Sequence, residues 1–179
     1  MRKIKIYAIT SLDGFTARLD GDTDWVLDYP ELSNNSYGFR EFFDNIDGAI
    51  FDQQHYYLVL SNDILWPFAN KPCYIVSDEE FYTSPDKNIS FMLTTEYLPA
   101  EHVKALQQTE GGDIWLAGNY ELIAQLMGHG MVDELIINIF PLFIGKGQAL
   151  FSHCQTEYRW QLVKSKQFDN GVVQVHYKK

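Results

Sequence analysis

Cysteine is nearly absent from this chain. Cys73 and Cys154 lie far apart, and neither belongs to a Cys-x-x-Cys pattern. That argues against a disulfide scaffold, a zinc ribbon and a dithiol redox motif, and the expectation is two separate reduced thiols in a cytoplasmic protein. Basic residues are also few: 14 Lys and Arg stand against 24 Asp and Glu, for a net charge of -10 and a pI near 4.8. No Lys/Arg cluster supplies the basic face that a nucleic acid or an anionic membrane surface requires, so neither is an expected partner. Long apolar runs are missing too. No stretch approaches the roughly 18 apolar residues of a membrane span, and the run after Lys5 is too short and interrupted for a signal peptide. The five histidines are scattered without ligand spacing, so no metal is expected.

What remains is rich in core formers: 46% of residues are hydrophobic and 15% aromatic. With no linker, repeat or low-complexity segment, residues 1–179 read as one domain with a sizeable core. Met1–Ile9 alternates and then turns apolar on both faces, which predicts a strand entering the sheet centre. Ser11–Asp28 reads as a loop with turns at Asp13-Gly14 and Asp20-Gly21 and a short strand at Phe15–Ala17. Ser36 is the expected N-cap of a helix whose apolar face carries Phe39, Phe42, Phe43 and Ile46. Strands follow at Gly48–Phe51, Cys73–Val76, Ile89–Leu93 and Asp113–Leu116, and helices at Gln53–Leu60, Pro99–Gln108 and Tyr120–Met127. Glu134–Phe143 has the composition of a central strand. Arg159–Gln167 and Val172–Tyr177 form a hairpin across Asp169-Asn170-Gly171. Strands alternating with helices and closed by a hairpin predict a three-layer α/β/α fold with a mixed, mostly parallel sheet.

One stretch suggests chemistry. In "IWLAGNYELIAQL" (Ile114–Leu126) a buried strand turns through Ala117-Gly118-Asn119 into a helix. Such a turn presents helix N-terminal amides, whose partial positive charge favours a phosphate. A plain capped helix, with Gly118 for freedom and Asn119 for the cap, explains the same residues. Elsewhere, Asp24, Lys146, and Glu41 and Asp44 on the first helix read equally as turn or surface charges, and no catalytic acid is assigned.

The order of "ITSLDGFTARLDGDTDW", then "DGAIF" with a helix, then "DIWLAGNYELIAQLMGHGMVDELIINIFPLFIGKGQALF" resembles the C-terminal reductase domain of riboflavin-biosynthesis enzymes, within the dihydrofolate reductase-like fold. The resemblance spans nearly the whole chain and is most specific over Asp113–Phe151. It implies a stand-alone reductase, similar to 5-amino-6-(5-phosphoribosylamino)uracil reductase, that reduces a small heterocycle with NADPH or NADH and forms a homodimer. It also implies a cofactor lying across the carboxyl ends of the central strands. By that resemblance Ile9, Ser11, Asp13 and Gly14 map near the nicotinamide. Ala117, Gly118, Asn119, Tyr120, Glu121 and Leu122 map to the pyrophosphate, and Ser77 maps beside the adenosine ribose.

The cofactor side departs from the family pattern. The Gly-Arg pair and following Thr expected after the second strand are replaced by Asp52-Gln53-Gln54-His55, and the late turn has one glycine followed by Asn119-Tyr120. A carboxylate beside a phosphate costs about 1 kcal/mol or more, and a lost Arg–phosphate pair a similar amount, so cofactor affinity falls by about one to three decades. Asp52 would equally cap the second helix. The acidic run Asp78-Glu79-Glu80 after Ser77 favours NADH over NADPH, unless Lys71 or Lys87 folds in. Two readings follow: a reductase, or a reductase-like domain that has lost its cofactor and acts as a binding module. Trp25 and Trp115 are expected near the crevice.

Overall fold

A computed structural model describes residues 1–29, 36–61, 68, 70–81, 88–95 and 98–179. Among these the elements run β1 (Ile4–Ser11), β2 (Phe15–Ala17), α1 (Phe39–Asp44), β3 (Ile46–Asp52), α2 (Gln53–Ser61), β4 (Cys73–Ser77), β5 (Ile89–Leu93), α3 (Pro99–Gln107), β6 (Asp113–Leu116), α4 (Tyr120–Gly128), β7 (Glu134–Phe140), β8 (Gln148–Ala149), β9 (Gln161–Gln167) and β10 (Val173–Lys178). Eight strands form one sheet in the order β5-β4-β3-β6-β1-β7-β10-β9. β5 through β7 are parallel, and β10 and β9 are antiparallel. β2 pairs with β8 in a separate ribbon.

Alternation along the strands assigns the two faces. Ile4, Ile6, Ile50, Ile114, Leu116 and Leu135 meet Val103 and Leu106 of α3 and Leu122, Ile123 and Leu126 of α4. On the opposite face Tyr7 and Ile46 pack with Phe42 of α1, while Ala49, Phe51, Phe68 and Cys73 pack with Val59 of α2. Helices thus cover both faces, which makes the three layers. Each fully buried Leu or Ile contributes about 1.5–3 kcal/mol, so this double burial is the main stabilising term. No helix among the described residues is long and apolar enough to cross a membrane.

The structure revises several expected boundaries. β7 stops at Phe140 instead of residue 143, because Pro141 has no N–H for the ladder. β7 lies beside the centre, which β6 and β1 occupy. Leu135 and Ile137 do face α3 and α4, and Ile136 and Phe140 face the other side. Ile136, Ile137 and Ile139 are only half-buried, however. Ile46 opens β3 instead of closing α1. The first helix begins at Phe39, not after Ser36. Tyr37 (φ 51°) and Gly38 (φ 85°) are both left-handed, which no helix can continue through. Tyr37 is held in this strained conformation because the Tyr7 hydroxyl and the Gln174 amide both donate to its carbonyl, at 2.9 and 2.6 Å.

Candidate functional site

The carboxyl ends of β1, β3 and β6 open onto a crevice of about 810 Å³. Its walls include Tyr7, Ile9, Phe51, Trp115 and Leu150, and its polar groups include Thr16, Gln54 and Gln148. The β2–β8 ribbon closes one end, through Thr16, Ala17 and Gln148. That ribbon requires Gly147, since any side chain there would strike the Ala17 carbonyl. A second hollow of about 480 Å³ lies past the end of β3, bounded by Asp52, Gln53 and Val76. Gln54, Tyr57 and Asn119 border both spaces and form the ridge between them.

The loop after β1 is built by its own hydrogen bonds. The Ser11 hydroxyl donates to Asp13 at 2.6 Å, and Asp13 accepts the Ile144 and Gly145 amides at 3.2 and 2.7 Å. Desolvation would raise the Asp13 pKa, but the Ser11 hydroxyl and the Gly145 and Ile144 amides together outweigh it and hold the carboxyl below its ordinary value. The Asp-Gly turn is therefore a staple between the β1 loop and the Gly145-Lys146-Gly147 loop, and Ser11, Asp13 and Gly14 do not line the crevice.

At the α4 turn, Asn119 Oδ1 accepts the Leu122 amide at 2.9 Å, an N-cap formed as its sequence predicts. Gly118 serves packing: a Cβ there would come within 2.7 Å of Leu122 Cδ2. Tyr120 stacks on His153 with ring centres 5.2 Å apart. The Asn119 amide itself points at Asp52 and donates to Oδ2 at 2.6 Å. Asp52 also caps α2, since Oδ1 accepts the His55 amide at 3.0 Å, and the His55 Nδ1 lies 2.9 Å from Oδ2. Asp52 is 8% exposed. Burial alone would raise its pKa, but the His55 ring and the His55 and Asn119 amides outweigh it and hold the carboxyl below its ordinary value.

Of the residues the resemblance mapped to a cofactor, Ile9, Ala117, Gly118, Asn119, Tyr120 and Glu121 line the crevice, and Asp52 lines the adjoining hollow. Leu122 is buried under the α4 turn. Ser77 is buried at the end of β4, where its hydroxyl donates to the Glu79 carbonyl at 2.7 Å, and it lines neither space. Trp115 lines the crevice, whereas Trp25 does not: it is buried edge-on against Phe140 in the cluster that also holds Ile9. Gln54 stands where the sequence placed it, on the cofactor side, whereas Phe51, Tyr57 and Gln148 were not anticipated. For Phe51 the signal was present, since alternation in "GAIF" sets it opposite Ile50. For Gln148 there was none, because only the β2–β8 pairing brings it in.

The fit to a nicotinamide dinucleotide divides by part. The aromatic and apolar walls suit a planar ring. The diphosphate position does not suit a diphosphate: no Lys or Arg is among the described residues lining either space, Asp20 and Glu121 are, and the Asn119 amide is already bonded to Asp52. The Tyr7 phenol, pushed up to about 12 by burial, stays neutral and donates to the Tyr37 carbonyl. Among the described residues no three His, Cys, Asp or Glu side chains group to hold a metal ion.

Residues 53–174 match the family model of the RibD C-terminal domain. The chain is 33% identical over 177 residues to the uncharacterized protein YwjB of Bacillus subtilis (strain 168), covering 98% of this chain and 97% of that one. Among solved structures, it superposes with a TM-score of 0.81 on a protein from Shewanella sp. PV-4 provisionally assigned to riboflavin biosynthesis, at 23% identity and 98% coverage of both chains. It superposes with a TM-score of 0.61 on the dihydrofolate reductase of Enterococcus faecalis, solved with NADP(H), at 11% identity and covering 98% of this chain and 95% of that one. The mostly parallel sheet, the crevice at the ends of β1, β3 and β6 and the sequence match agree: the chain belongs to the RibD C-terminal domain family and has the dihydrofolate reductase-like fold.

Proposed function

We propose that this chain is a reductase of a small heterocyclic compound, with the crevice holding the reacting ring. The observation that carries this reading is the aromatic-walled space at the carboxyl ends of β1, β3 and β6, in a chain of a reductase-domain family. Hydride chemistry of this kind asks the protein mainly for position and exclusion of water, which agrees with the aromatic and apolar walls of the crevice. A reduced nicotinamide is the hydride source the family reading supplies, and NADH is favoured over NADPH. Asp20 and Glu121 line the crevice, and no cation among the described lining residues would meet a 2′-phosphate. Lys71 is no candidate, because its ammonium donates to the Ile46 carbonyl and sits over Phe43 on the α1 side. Lys87 lies outside the described residues.

A second reading is favoured by one contact. With Asp52 bonded to the Asn119 amide, the domain would bind a heterocycle without any dinucleotide and serve as a binding module. Fluorescence titration of Trp115 separates the two. The reductase reading expects saturable quenching by NADH that is stronger than by NADPH at low salt. NADPH binding about tenfold tighter, roughly 1.4 kcal/mol, would refute the cofactor preference, and no response to either selects the module. The reading includes a homodimer. It is supported by β9, where every residue is exposed, among them Leu162 at 55% and Val163 at 47%.

A further inference from the structure

The end of the crevice nearest α4 is built from groups that are already committed. The Asn119 amide ends on Asp52 and the Leu122 amide ends on Asn119, so one buried carboxylate stands where an anion would meet this helix. Asp52 is itself fixed by the His55 and Asn119 backbone amides, with the His55 ring nitrogen 2.9 Å from Oδ2. It sits at the ridge of Gln54, Tyr57 and Asn119 that any ligand spanning both spaces must cross. Acids at Asp20 and Glu121 face the same volume, with no Lys or Arg among the described lining residues. Other polar groups on its walls include His55 and the uncharged Thr16, Thr23, Gln54 and Gln148, whose donors and acceptors suit ring carbonyls and ring N–H groups.

We propose that Asp52 sets the ligand class of this site: its carboxylate holds the anion position at the α4 N-terminus, so the crevice takes phosphate-free planar heterocycles and discriminates against ligands carrying a diphosphate there. The proposal rests on the second reading above, in which the crevice holds a heterocycle without a dinucleotide. The electrostatic basis is simple. A diphosphate at the ridge meets a fixed negative charge in a partly water-excluded space and must displace it to reach the Asn119 amide. The carboxyl lies below its ordinary value, so the charge persists throughout the neutral range.

The test is calorimetric titration of the full chain at low salt with ADP-ribose, adenosine and 1-methyl-1,4-dihydronicotinamide. It compares the native chain with Asp52→Asn and Asp52→Ser. Asn removes the charge and keeps an oxygen for the α2 cap. Ser keeps a cap and withdraws the oxygen that faces Asn119. In both variants ADP-ribose binding strengthens by about tenfold, or roughly 1.4 kcal/mol, while adenosine and the dihydronicotinamide stay within twofold. The gain shrinks at high salt. ADP-ribose affinity changing less than threefold in variants that melt normally would overturn the proposal, as would an equal gain for adenosine. Failure of the crevice reading has a different signature: no phosphate-free ring compound binds the native chain at all.

Discussion

Glu134 concentrates the electrostatics at the other end of the sheet. Its carboxylate meets Lys3 at 2.8 Å, Lys5 at 3.2 Å and His176 at 3.0 Å, and Lys5 also reaches Asp113 at 2.7 Å. Burial alone would raise its pKa, but the two lysines and His176 outweigh it and depress the carboxyl to about 2. The unfolded chain therefore takes up this proton first as pH falls. The stabilisation is complete above the ordinary value of 4.5 and is lost progressively between there and about pH 2. Glu134→Gln should lower stability by about 1–2 kcal/mol at pH 7, a figure kept small because Lys3 is mostly exposed, and by much less at pH 3. Urea denaturation of both proteins at the two pH values checks this, and an equal difference at both would contradict it. None of this was legible in the sequence. Lys5, Asp113, Glu134 and His176 come from four strands and Lys3 directly precedes the first of them, and register assembles them.

At the scale of elements, α4 was readable almost residue by residue. Gly118 and Asn119 precede an apolar repeat, and the structure returns an Asn cap with Leu122, Ile123, Leu126 and Met127 buried. Asn119→Ala should cost about 1 kcal/mol by freeing the Leu122 amide, measured as a shift in the urea midpoint with an unchanged slope. No change would mean that the Asp52 contact alone fixes the turn. α1 was less legible. Ser36 satisfies the helix-start rule, yet tertiary bonds to the Tyr37 carbonyl force left-handed backbone and delay the helix to Phe39. A pattern rule sees local preference, and two hydrogen bonds from distant strands override it.

For the whole molecule, the sheet leaves β9 as an edge strand exposed on every residue, carrying Leu162 and Val163. Lys164 and Lys166 on this strand discourage uncontrolled edge pairing. Sedimentation equilibrium at tens of micromolar is expected to give the mass of two chains, and the mass of one chain would refute the homodimer. The sequence by itself determined the layer architecture, the order of strands and helices and the closing hairpin, because periodicity and turn chemistry are local and recur along the chain. It also marked Asp52 as out of place at the end of its strand. Only the tertiary structure decided what Asp52 does there. Its bond to Asn119 joins residues that are distant in the chain, and they meet only because β3 and β6 pair in parallel with Ile50 beside Leu116. The same parallel register opens the crevice and leaves Ser11, Asp13 and Ser77, at strand ends and in the turn after β1, hydrogen-bonded outside it, since the direction of a side chain at a strand end depends on neighbours the sequence does not adjoin.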